Sequence, residues 1–215
     1  MHGTEEPEGE RRTKELGTLW KTARMDRLLL VRHAQADGHD GADPALSTTG
    51  EHQAALLAER LSAEPVLRVL SSPRRRARQT ASTVSERLGL PLEVAPVLDD
   101  RTPMPSAERW SDYPAHRWQW LQETPVEEQD EDGRVLRDAW TRIAGMLDGR
   151  GEGALMVVTH AFVVGSFVAA ALSAPPAAWM LLPVGNAAVT ELQLRSNGEI
   201  AVTRFNDAAH LGAAA

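Results

Sequence analysis

The sequence predicts an α/β protein, a three-layer α/β/α sandwich around a mostly parallel sheet. Short, wholly apolar runs, LLLV at 28–31 and LMVV at 155–158, have the length and composition of strands buried on both faces. Between them lie longer segments with helical apolar spacing, so strands and helices alternate along the chain. A length of 215 residues suffices for one substantial domain with its own core.

Taken in order, Arg27–Val31 is the first strand. A polar loop rich in Gly and Asp follows, then STTGEHQAALLAERL. There Thr48 and Glu51 have capping-box spacing, and Ala54, Leu57, Ala58 and Leu61 share one helical face. VLRVL (66–70) is the second strand. Ser71-Ser72-Pro73 reads as the opening of the next helix, with Ser at the N-cap and Pro at the first helical position. Gly89 is its natural stop. LEVA (92–95) is a short third strand. Residues 99–130 are rich in proline and charge and hold Trp110, Trp118 and Trp120 beside Tyr113. They read as a cap or insertion whose aromatics pack it onto the sheet. Leu136, Trp140, Ile143 and Leu147 then mark a helical face up to Gly149. Residues 187–194 and 199–205, joined across Ser196-Asn197-Gly198, read as a terminal hairpin.

Two segments bear on location. The first residues, MHGTEEPEGERRTKELG, are polar and charged and lack the apolar core of a signal peptide. Residues 1–24 therefore read as a flexible extension ahead of a single domain over 25–210. ALMVVTHAFVVGSFVAAAL (154–172) is nearly long enough to span a bilayer, but Thr159-His160 interrupts it, so it reads as a buried strand feeding a buried helix. A net charge of −7 supplies no global basic field, so neither nucleic acid nor membrane is the expected partner. The absence of cysteine excludes disulfides, thiolate catalysis and Cys-based metal sites. It suits a reducing compartment, and the expected location is cytoplasmic. No metal-ligand cluster is evident, and no cofactor is expected.

In an open parallel sheet, ligands bind beyond the carboxyl ends of the strands. Arg32-His33 follow strand one. Ser72 and PRRRAR (73–78) follow strand two. Asp99-Asp100 lie after strand three, and His160 follows strand four. Each piece alone is ordinary: a loop start, a solvated helix face, a turn cap, a core histidine. Arriving in order at one sheet edge, they form a compact inventory for handling phosphate.

These residues resemble the histidine phosphatase superfamily, the phosphoglycerate-mutase-like fold. VRHA (31–34) resembles its Arg-His signature, and LSTTGEHQA (46–54) its Leu-Ser/Thr-x-x-Gly-x-x-Gln-Ala helix start. SSPRRRARQTA (71–81) resembles its Ser-Pro-x-x-Arg-Ala-x-Gln-Thr-Ala motif, which places the motif arginine at Arg76. VVTHA (157–161) is similar to its second histidine site, and PVGNAAVTEL (183–192) to its late Asn-containing strand. Ala161 stands where the second branch has an Asp, so the resemblance is to branch 1. The sequence departs from the pattern at Ala34, where Gly is usual, at Ala36 and His39, where Thr and Asn are common, and at Leu98-Asp99-Asp100, where the general acid is commonly Glu.

The resemblance implies a phosphatase that works without metal through phosphohistidine, acting on a small phosphorylated metabolite. His33 is the nucleophile, held neutral by its cationic neighbours and oriented by a backbone carbonyl. Arg32 and Arg76 bind phosphate, and His160 both binds phosphate and supports catalysis. Asp100 is the expected general acid, with Asp99, Glu108 and Glu51 as fallbacks; Asp is one methylene shorter than Glu. Two rivals stand beside this reading. One is a phosphomutase of the phosphoglycerate mutase type. The other is a catalytically weak module that binds phospho-ligands.

Overall fold

The computed structural model describes residues 24–38 and 43–214. The expected extension and His39 therefore lie outside the described residues, Arg24 excepted. Six strands form the main sheet in the order β3-β2-β6-β1-β7-β8. They are β1 (Met25–Arg32), β2 (Val66–Ser71), β3 (Leu92–Val94), β6 (Gly153–Thr159), β7 (Val189–Leu194) and β8 (Ile200–Asp207). Contacts β1–β6, β2–β6 and β2–β3 are parallel, while β7 and β8 form an antiparallel edge. Strands β4 (Thr102–Met104) and β5 (Gln129–Glu131) make a separate two-stranded sheet.

Alternation along β1 explains the layers. Leu28 and Leu30 face one side with Leu155, Val157 and Leu192. Helices α4 (Arg134–Ala144) and α5 (Ala161–Ala171) cover that side through Leu136, Ile143, Val164 and Phe167. Leu29 and Val31 face the other side with Met156 and Val158. Helices α1 (Thr48–Leu61) and α2 (Arg75–Leu88) cover it through Leu57, Leu61, Ala77, Ala81 and Val84. A strand covered on both faces has no solvated side to mark with polar residues, which is why its sequence is continuous rather than alternating. Residues 154–172 form β6 and α5, and no helix among the described residues is long and apolar enough to cross a membrane.

The segment after β3 is built from short pieces: β4, a 3-10 helix at Ala107–Asp112, α3 (Trp118–Gln122) and β5. Trp110 and Trp118 pack edge to face, and Trp120 meets Phe162 and Trp179. Tyr113 is buried beneath them. These aromatics do pack the segment down, but onto Phe162 of α5 and onto Trp179 rather than onto the sheet as expected.

Three local expectations are corrected. Helix α1 is capped by Ser47, whose hydroxyl accepts from the Gly50 N–H at 3.1 Å, so Thr48 is its first residue rather than its cap. Helix α2 starts at Arg75, two residues later than expected, and its N-cap, Arg74, makes no side-chain cap; the Ser72 hydroxyl lies ahead of the helix, accepting from the Arg74 N–H at 3.3 Å and meeting His160 Nε2 at 2.7 Å. Helix α4 ends at Ala144, short of Leu147, because the chain tightens and the Asp148 N–H bonds back to Met25 O at 2.8 Å. The Gly89 stop occurs as expected, in the left-handed conformation at φ 66°.

Candidate active site

Register brings the site together. In the β1–β6 pair Arg32 lies opposite Thr159, and in the β2–β6 pair Ser71 lies opposite Val158. The next residues, His33, His160 and Ser72, therefore leave three adjacent parallel strands side by side. The ladder continues past the strand ends: His33 N–H donates to Thr159 O at 2.8 Å and Ser72 N–H to Val158 O at 2.9 Å. The two imidazoles meet edge to face with ring centres 5.2 Å apart.

His33 is held in one tautomer from both sides. Its Nδ1 lies 2.8 Å from the carbonyl of Ala34, which can only accept, so Nδ1 carries the proton. Its Nε2 accepts from Arg76 Nε at 3.1 Å. The orienting acceptor is thus the neighbouring residue's own carbonyl. Burial, more than the Arg76 and Arg32 charges, pushes the His33 pKa down to about 3, so the ring is neutral at neutral pH with its Nε2 lone pair turned toward a guanidinium. His160 is buried more deeply, and burial followed by the His33 and arginine fields keeps it well below the ordinary histidine range.

Arg76 is the hub. Besides His33 it reaches Asp100 Oδ2 at 2.8 Å, and His160 Nδ1 lies 3.3 Å from its NH2. Asp100 Oδ2 is also 3.2 Å from His160 Nδ1. The shorter Asp side chain therefore reaches the cluster: a 3-10 turn at Pro96–Leu98 buries Leu98, and Thr159 Oγ1 donates to Leu98 O at 2.8 Å, tying the 98–100 backbone to the strand end ahead of His160. Burial raises the Asp100 pKa to about 6, with Arg76 opposing and Glu128 adding to the rise. Asp99 points elsewhere, to Arg74 Nε at 2.7 Å, while Glu51 and Glu108 are exposed. Arg32 donates from one terminal nitrogen to Val184 O at 2.6 Å, and its buried Nε has no partner among the described residues. All five expected residues, Arg32, His33, Arg76, Asp100 and His160, thus converge. Among the described residues no group of three or more His, Cys, Asp or Glu is arranged to hold a metal.

The motif residues around them are braces. Thr80 Oγ1 accepts from Ala34 N–H at 3.0 Å and donates to Arg76 O at 2.8 Å, joining the two sides of the site through one hydroxyl. Asn186 Nδ2 donates to His33 O at 3.0 Å. Gln53 Oε1 accepts from Gln35 N–H at 2.9 Å. A Cβ on Gly50 would stand 1.9 Å from Gln35 O, so only glycine lets α1 approach this loop. None of these four has a role assigned from its residue type alone. The signal for Thr80 was the Gln-Thr-Ala block, for Gly50 and Gln53 the Gly-x-x-Gln block, and for Asn186 the PVGNAAVTEL stretch.

The chain belongs to the histidine phosphatase superfamily, branch 1. The model of that family matches residues 28–208. Among curated relatives, the mouse serine/threonine-protein phosphatase PGAM5, mitochondrial, is 27% identical over 195 residues, which are 87% of this chain and 65% of the mouse protein. The chain thus spans just under two thirds of that relative. The glucosyl-3-phosphoglycerate phosphatase of Mycobacterium tuberculosis is 31% identical over 191 residues, 79% of this chain and 86% of that protein. A solved native structure of the mycobacterial glucosyl-3-phosphoglycerate phosphatase superposes with a TM-score of 0.67 at 25% identity, covering 86% of this chain and all of that one. These relatives are phosphatases.

Proposed function

We propose that this protein is a metal-independent phosphomonoesterase that works through phosphohistidine on a small phosphorylated metabolite. The observation that carries the reading is the His33 ring: Nδ1 is tied to Ala34 O, and Nε2 presents its lone pair to Arg76. A phosphomonoester is a poor electrophile because of its negative charge, so the site must neutralise charge and hold the nucleophile in line. Arg32 and Arg76 bind the phosphoryl oxygens, and His160 donates to one of them. His33 Nε2 attacks phosphorus as the P–O bond to the leaving group breaks, and Asp100 gives that oxygen its proton. Asp100, now a carboxylate, takes a proton from water as the water oxygen attacks phosphorus and the P–N bond breaks. Inorganic phosphate leaves and neutral His33 is restored.

Asp100 bonded to Arg76 suits this cycle. An incoming phosphate competes for the same guanidinium and adds negative charge, and both effects raise the Asp100 pKa above about 6, toward the acid form the first step needs. A small substrate is supported by the burial of the nucleophile, His33 being 7% exposed. The small-molecule phosphatase of M. tuberculosis is also matched over more of its length than PGAM5 is. A cytoplasmic location is part of the same proposal.

The test is release of inorganic phosphate from p-nitrophenyl phosphate, in chelator, by wild type and His33→Ala. Wild-type turnover lost in the variant is expected; equal activity in the two rejects the reading. Isomerised product in place of free phosphate from a phosphorylated sugar acid would make the protein a mutase.

A further inference from the structure

We infer that Ser72 is a positioning residue that fixes the tautomer of His160 and so aims its proton at the phosphoryl group. This rests on the phosphatase reading above. Ser72 is fully buried, and its Oγ has two partners: His160 Nε2 at 2.7 Å and the backbone N–H of Arg74 at 3.3 Å. The Arg74 N–H can only donate, so it occupies a lone pair of the hydroxyl. If His160 carried its proton on Nε2, that proton would take the other lone pair. The hydroxyl hydrogen would then have no acceptor among the described residues, an expensive arrangement in a buried site. If Nε2 is bare, the hydroxyl donates to it and every group at Ser72 is satisfied. The second arrangement places the His160 proton on Nδ1.

Nδ1 faces the reaction side. It lies 3.2 Å from Asp100 Oδ2 and 3.3 Å from Arg76 NH2. The two neighbours ask for opposite things, since a guanidinium wants a lone pair there and a carboxylate wants a hydrogen. Arg76 NH2 already has a shorter bond, to Asp100 at 2.8 Å, so it does not need Nδ1 as an acceptor. The Ser72 hydroxyl decides between them. When a phosphoryl oxygen takes up Arg76, the Nδ1–H, 3.3 Å from that guanidinium, is a donor placed beside it. With the proton on Nε2, the same ring would turn a lone pair toward an anion.

The cap expected from the Ser-Pro sequence is thus used differently. Ser72 accepts only from the N–H of Arg74, ahead of the first turn of α2, and its hydroxyl also serves the ring across the strand ends. Strand pairing holds it there through Ser72 N–H to Val158 O at 2.9 Å, two residues ahead of His160.

The experiment is nitrogen-15 NMR of the imidazoles in uniformly labelled wild type and Ser72→Ala at neutral pH, with His160 assigned by its loss in His160→Gln. Wild type is expected to show a protonated Nδ1 and a bare Nε2 at His160. In Ser72→Ala the Nε2–H form should appear, with kcat down by about 10- to 100-fold, the range carried by partners that orient ligating histidines, while KM for p-nitrophenyl phosphate changes less than threefold. A wild-type His160 protonated on Nε2 overturns the inference, and needs no variant to be read. An unaltered tautomer in a folded Ser72→Ala also overturns it. The ring signals are independent of turnover, so an inactive wild type with the expected tautomer would reject the phosphatase reading and leave the role of Ser72 standing.

Discussion

Two histidines and one carboxylate show how far a side chain's behaviour is set by what surrounds it. His33 is neutral chiefly because it is buried; its cationic neighbours add to an effect that desolvation leads. Asp100 has the opposite outcome from the same cause, since burial favours its uncharged, proton-bearing form up to about pH 6. Asp100→Asn should slow hydrolysis of an alkyl phosphate by about 10²- to 10⁴-fold, the usual worth of a general acid. An aryl phosphate should lose less, because phenolate leaves without a proton. Parallel rate measurements on glycerol phosphate and p-nitrophenyl phosphate check this, and equal losses would remove Asp100 from the acid role. With the alkyl substrate, kcat/KM should decline as pH rises above about 6, where free Asp100 gives up its proton.

At the scale of elements, two glycines give contrasting expectations. Gly89 closes α2 at φ 66° with open space around it, so Gly89→Ala should cost about 1 kcal/mol of stability and leave kcat unchanged. Gly50 lies against Gln35 O, next to the carbonyl that orients His33. Gly50→Ala should cost about 1–3 kcal/mol and also lower kcat. Urea unfolding and p-nitrophenyl phosphate assays separate the two. The strands of the main sheet, the helical faces that cover it and the hairpin were legible in the sequence because burial on two faces, one face or alternate positions writes a distinct pattern, whereas the short β4, α3 and β5 inside 99–131 were not. The start of α2 was not, because Ser72 hydrogen-bonds a residue 88 positions away, and no local rule contains that partner. The same holds for Thr80 and Thr159, whose hydroxyls join separate loops of the site. Asp100 was legible as a candidate, and the turn that carries it inward was not.

For the whole molecule, the buried site links stability to pH. His33 and His160 stay neutral when folded but take protons near pH 6.5 when unfolded. Below that pH the unfolded chain binds more protons, so their contribution is present above about 6.5 and is lost on acidification, at up to about 1.4 kcal/mol per pH unit for each ring. Asp100 works the other way. With a folded pKa near 6, its contribution is present at low pH and is lost as pH rises through 6, which offsets part of the histidine effect between about pH 4 and 6. The urea midpoint should therefore fall from pH 7.5 to pH 5, and fall less in His33→Gln; a flat midpoint would show that the site is not desolvated as described. The site also depends on the centre of the sheet, because the registers of β1, β2 and β6 bring His33, Ser72 and His160 side by side. The central claim is that His33 accepts the phosphoryl group, and mass spectrometry of the enzyme quenched in base during turnover of p-nitrophenyl phosphate tests it most directly. One phosphoryl group on the peptide holding His33, more abundant in Asp100→Asn because that variant lacks the base for the water step, is the predicted result. Steady turnover with His33 unmodified, or with the phosphoryl group on another residue, would contradict it.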